Sequence, residues 1–135
     1  MSPLSVYIHI PFCTAKCGYC DFNAYAGMDN LKAAYAQALV AEIYAWRHEL
    51  EGREIATIGF GGGTPGEMPP DAIGAAIEAL RGIGTLRADA EISLEANPGT
   101  TSGEDLLALR QAGLTRISFG AQSFDSEELS FLDRI

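Results

Sequence analysis

Cys13, Cys17 and Cys20 are the three cysteines of this 135-residue chain, and they fall within eight positions as Cys13-Thr-Ala-Lys-Cys17-Gly-Tyr-Cys20. An odd set spaced this tightly is a poor disulfide framework and a good metal cradle. Three thiolates can each hold one iron of a four-iron cluster, where a full cage would use four cysteines. The remaining iron would be open to a ligand that brings an amine and a carboxylate. Two other chemistries compete. A structural zinc of the Cys3His type would recruit His9 or His48, although zinc motifs usually bring a second Cys or His pair and none follows here. A nucleophilic thiol needs one cysteine and a nearby base, not three clustered thiols.

Such a loop needs a frame, and the surrounding pattern supplies one. Strand-like runs cover Ser5–Ile10, Ile55–Gly61, Ala90–Ala96 and Thr115–Ala121, with helical patterns between them. Leu31, Tyr35, Leu39, Ile43, Trp46 and Leu50 recur at intervals of three or four, and Gly52 follows as a stop. Pro69-Pro70-Asp71 opens a second helix that closes near Gly82. Thr101 with Glu104 forms a capping-box signature for a third, ended by Gly113, and Asp125 with Glu128 resembles a fourth start. Repeated βα units predict a parallel sheet with helices outside.

Alternation within the strands predicts which face does the chemistry. Val6, Ile8 and Ile10 oppose Tyr7 and His9; Ile58 and Phe60 oppose Thr57, Gly59 and Gly61; Ile92 and Leu94 oppose Ser93 and Glu95; Ile117 and Phe119 oppose Ser118 and Gly120. A sheet covered by helices on both faces would be apolar on both. One small or polar face in every strand predicts outer helices and a roomy polar interior.

The segments rich in chemistry all follow strands, where βα architectures gather their sites. They are the cysteine loop, Gly61-Gly62-Gly63-Thr64-Pro65, Glu95-Ala-Asn-Pro-Gly99 and Gly120-Ala-Gln-Ser123. The glycine run lets a ligand approach the backbone closely and offers its N–H and C=O groups to an amino-acid-like cofactor; the plain alternative is a turn. No Gly-Lys-Ser/Thr follows, so it is not a phosphate loop. Glu95 and Gln122 are placed to meet hydroxyls or an amine. Tyr7 points inward, Tyr19 sits between two candidate ligands, and Arg134 lies near the end of the chain, where a surface role is the default. His9 reads as a satisfied interior histidine.

Bulk properties set further bounds. At 47% apolar content the chain can form a core, and no apolar stretch is long enough to span a membrane. The N-terminal residues show no secretion pattern, and free thiols suit a reducing cytoplasm. Net charge is −9, from 18 acids against 9 bases, which disfavours nucleic-acid binding.

The Cys13-x3-Cys17-x2-Cys20 spacing, with Tyr19 before the last cysteine, resembles the signature of the radical S-adenosylmethionine (SAM) superfamily. Tyr7-Ile-His-Ile-Pro-Phe-Cys13, Phe60-Gly-Gly-Gly-Thr-Pro65, Glu95-Ala-Asn-Pro-Gly99 and Ile117-Ser-Phe-Gly-Ala-Gln-Ser-Phe124 narrow it to the oxygen-independent coproporphyrinogen III oxidase-like group. Within that group the oxidases carry a fourth cysteine two places beyond the third ligand. Phe22 stands there in this chain, as in the HemW-like haem-chaperone branch. The resemblance implies a partial (β/α)6 barrel of which residues 1–135 are the N-terminal portion, the rest of the barrel and a C-terminal region being absent. It implies a 4Fe-4S cluster on Cys13, Cys17 and Cys20. It also implies SAM contacts at Tyr7, Gly62, Gly63, Thr64, Glu95, Gln122 and Arg134, with Tyr19 near a second cofactor molecule. Haem or porphyrin, and an acceptor protein for haem, are the implied partners; no residue is assigned a catalytic role.

Overall fold

The computed structural model describes residues 2–134. Four parallel strands form one sheet in the spatial order in which they occur in the chain: β1 (Leu4–Ile10), β4 (Glu54–Gly62), β5 (Thr85–Ala96) and β6 (Arg116–Phe119). Two short strands, β2 (Phe12–Cys13) and β3 (Tyr25–Ala26), pair in parallel and close the ends of the cysteine loop against each other. The helices are α1 (Lys32–Ala45), α2 (Arg47–Leu50), α3 (Pro70–Ile83), α4 (Gly103–Gln111) and α5 (Ser126–Phe131). Each strand of the main sheet lies beside the one before it, as the predicted βα units require.

In β1, β4 and β5 the two faces differ as the alternation predicts, whereas in β6 Phe119, expected on the covered face, is 44% exposed and lines a cavity with Glu95 and Ser118. Ile8, Ile10, Ile58, Phe60, Ile92 and Leu94 are buried with Ile43 of α1, Ile73, Ile77 and Leu80 of α3, and Leu109 of α4. Each fully buried side chain of this size contributes on the order of 1.5–3 kcal/mol. Helix α3 does most of this covering because Ile73, Ala76, Ile77, Leu80 and Ile83 recur on one stripe and are all buried. Tyr7, Glu95 and Ser118 are exposed on the opposite face, where the register sets Tyr7 beside Gly59 and Glu95 beside Ser118.

Four expectations need correction. Strand β5 begins at Thr85, not Ala90: Thr85 and Leu86 pair with Glu54 and Ile55, and pairing resumes at Thr57 with Glu91 after a register break. An Arg87–Asp89 ion pair at 2.8 Å sits in the extra residues. Strand β6 stops at Phe119, because the chain turns sharply where Ala121 N–H donates to Phe119 O and Gln122 takes φ 65°. The first helix is interrupted at Trp46 (φ −81°, ψ 10°), which separates α1 from α2. The capping box of α4 is Ser102 with Asp105, not Thr101 with Glu104. Thr101 instead reaches across to the turn that follows β4, its hydroxyl donating to Gly66 O at 3.2 Å.

Candidate functional site

The cysteine loop leaves β1 and is pinned at once to the glycine turn that leaves β4. Gly63 N–H donates to Ile10 O at 2.7 Å, and Thr64 N–H donates to Phe12 O at 2.7 Å. These bonds hold the two loops too close for side chains on the glycines. A Cβ on Gly63 would sit 2.6 Å from Phe12 O and 3.0 Å from Cys13 Sγ, and Gly62 has φ 114° with the His9 ring 2.6 Å from its would-be Cβ. Sequence reasoning reserved these glycines for close approach of a ligand. The structure shows that the protein's own loop already needs the space.

Cys13, Cys17 and Cys20 line one cavity of about 260 Å³ at the carboxyl ends of the strands. Tyr19, Gly62, Gly63, Thr64, Glu95, Gln122 and Arg134 line the same cavity, so the structure brings together ten of the eleven residues expected at a site. Tyr7 is the exception. It lies on the inner face, 64% exposed, beside Gly61 and Glu95 but outside the cavity walls. Burial, then the neighbouring Glu95 carboxylate, pushes its phenol pKa up.

Two of the thiols receive hydrogen bonds. Thr64 Oγ1–H donates to Cys13 Sγ at 3.3 Å, and Arg134 Nη1 donates to Cys17 Sγ at 3.2 Å. Arg134 Nη2 also donates to Asn97 Oδ1 at 2.9 Å and to Gly120 O, while Asn97 Nδ2 donates to Thr64 Oγ1 at 3.2 Å. Asn97, in the loop that leaves β5, therefore ties the loop that leaves β4 to the residue that follows α5, a role that sequence reasoning missed although it singled out the segment. Burial pushes the Cys13 thiol pKa up; the Thr64 hydrogen bond opposes this, and Glu67 and the other two thiols reinforce it. A bound cation would reverse that balance, since metal holds the thiolate form.

Neither histidine joins the thiols. His9 Nε2 pairs with Asn23 O at 2.8 Å and Nδ1 with Tyr7 Oη at 3.1 Å. The carbonyl can only accept, so the neutral ring carries its proton on Nε2 and accepts from Tyr7. His48 belongs to α2 and lines no part of the cavity. Among the described residues, no three His, Cys, Asp or Glu side chains close on one point tightly enough for a single ion.

Over residues 7–135 the sequence matches the Radical SAM superfamily. The chain belongs to that superfamily. Radical SAM membership implies a 4Fe-4S cluster and SAM, and three thiols around one cavity, two of them already met by donors, are a fitting ligand set. The chain is 43% identical over 136 residues to heme chaperone HemW of Escherichia coli (strain K12), covering 100% of this chain and 36% of that protein. It is 39% identical over 130 residues to the mitochondrial radical S-adenosyl methionine domain-containing protein 1 of Bos taurus, covering 96% and 29%. Among solved structures, coproporphyrinogen III oxidase (HemN) from Escherichia coli, a radical SAM enzyme, superposes with a TM-score of 0.91 at 34% identity, covering 98% of this chain and 31% of that one. The fold is thus part of a radical SAM barrel, and the chain spans about a third of the length of these relatives. No helix among the described residues is long and apolar enough to cross a membrane.

Proposed function

We propose that Cys13, Cys17 and Cys20 hold a 4Fe-4S cluster beside a SAM site, and that the longer protein is a HemW-like haem chaperone that binds haem and passes it to an acceptor protein in the cytoplasm. One observation carries the reading: the three thiols share a single cavity with Gly62, Gly63, Thr64, Glu95, Gln122 and Arg134. Bound there, the cluster would supply an electron for reductive cleavage of SAM. The chain's own residues prepare the place. Thr64 and Arg134 stabilise thiolate sulfur by donating to it. Glu95, exposed on the inner face, is a carboxylate acceptor for ribose hydroxyls or an amine, and Gln122 can both donate and accept. Arg134 offers a guanidinium to a carboxylate. Tyr19, between two ligands in the sequence, lines the same cavity and would shield a cluster held there, and Tyr7 flanks Glu95 from outside.

A second reading, oxidative decarboxylation of coproporphyrinogen III, is favoured by the superposition on HemN. Phe22 argues against it, since it occupies the place of the fourth cysteine in the oxidase pattern and lines the cavity here. Anaerobic reconstitution of the full-length protein tests both. The expected result is a four-iron chromophore that Cys17→Ala abolishes, haem bound by the protein, and no decarboxylated porphyrin product. A colourless protein carrying one zinc overturns the cluster; product from coproporphyrinogen III decides for the oxidase.

A further inference from the structure

The hydrogen bonds around the thiols have a fixed direction, and one residue sets it. A guanidinium carries donors and no acceptor, so the Asn97 amide must turn its oxygen toward Arg134, at 2.9 Å. Its NH2 group then faces Thr64 Oγ1 at 3.2 Å. With a donor on that oxygen, the hydroxyl's own proton is directed at Cys13 Sγ, 3.3 Å away. Thr64 is 2% exposed, so water has little access to compete for it. At the other end the same Asn97 oxygen holds the guanidinium whose Nη1 reaches Cys17 Sγ at 3.2 Å. Asn97 hydrogen-bonds to neither sulfur, yet it orients the donors to both. An aspartate there could still accept from Arg134, but it would take the Thr64 proton away from Cys13.

We propose that Asn97 is a positioning residue for the metal centre: through Thr64 and Arg134 it fixes the donors on Cys13 and Cys17 and so raises the reduction potential of the cluster they hold. The inference rests on the cluster reading given above. Reduction adds negative charge to the cluster and its sulfurs, and donors aimed at sulfur stabilise the more negative state more strongly. Loss of Asn97 frees the Thr64 hydroxyl to rotate and removes an anchor of Arg134, so the reduced state is disfavoured.

The test is a redox titration followed by electron paramagnetic resonance, on the full-length protein reconstituted anaerobically without SAM, with iron counted for each variant. Asn97→Ala is expected to keep four irons and to disfavour the reduced cluster about tenfold, which for one electron is a shift of about 59 mV to lower potential. Thr64→Val, which keeps the side chain's shape and loses the hydroxyl, is expected to shift the same way by less. The double variant is expected to match Asn97→Ala, because Asn97 acts on Cys13 through Thr64. An intact cluster at wild-type potential in Asn97→Ala, or fully additive shifts in the double variant, overturns the proposal. If Asn97→Ala takes up no iron, Thr64→Val decides, and an unshifted potential there overturns it. A wild-type protein without a cluster fails differently, because it removes the underlying reading before any potential is measured.

Discussion

At the residue scale, the cysteine triplet was legible because its spacing is local and its chemistry belongs to the side chain itself. The glycines were legible as a close approach, but sequence could not say what approaches them. The answer is the backbone and thiol of the cysteine loop, at 2.6 Å and 3.0 Å from a Cβ on Gly63. Gly63→Ala is therefore expected to push Cys13 out of line while the remainder of the fold persists. The measurement is iron content after reconstitution beside far-ultraviolet circular dichroism: iron should fall several-fold with the spectrum unchanged, and full iron loading would contradict the packing described. Asn97 was invisible as a hub because its partners, Thr64 and Arg134, are 33 and 37 positions away, and no local pattern records such a meeting.

At the element scale, strand faces were readable wherever large and small residues alternate, as in Ile58-Gly59-Phe60-Gly61. They were missed over Thr85–Asp89, where only Leu86 and the small Ala88 alternate with Thr85, Arg87 and Asp89, and pairing depends on the register break against β4. The cap of α4 shows a different limit. Thr101 and Ser102 each precede an acid by three positions; Ser102 caps the helix while Thr101 is engaged with Gly66 O, a tertiary contact that no local pattern records. Ser102→Ala is expected to cost about 1 kcal/mol, measured by urea unfolding. The Ser102 hydroxyl and then its backbone N–H hold the Asp105 carboxyl below its ordinary value of 3.8. The unfolded chain thus binds a proton more readily than the folded one. This contribution is complete above that ordinary value and is lost as pH falls through the lower folded value. Unfolding curves across the acid range should show a shallower loss in Ser102→Ala than in the wild type.

At the scale of the whole molecule, the spatial order of the strands and the single helix-covered face mark an arc of a barrel rather than a complete one. Phe124 is 99% exposed and Phe131 87% exposed, and β1 and β6 are both edge strands. Apolar rings and unpaired strand edges of this kind invite association. The 135-residue chain by itself is expected to self-associate in sedimentation velocity, despite its charge of −9; a monomer that unfolds cooperatively would contradict this. The lengths separating the site's parts also bear on how it is made. Cys17 meets Arg134 across 117 positions, and Thr64 and Asn97 come in between. A ribosome thus releases the three sulfurs long before it releases the groups that steady them. During that interval the thiols are open to oxygen and stray metal, and a cluster loaded early would lack the donors that Thr64 and Arg134 direct at its sulfurs.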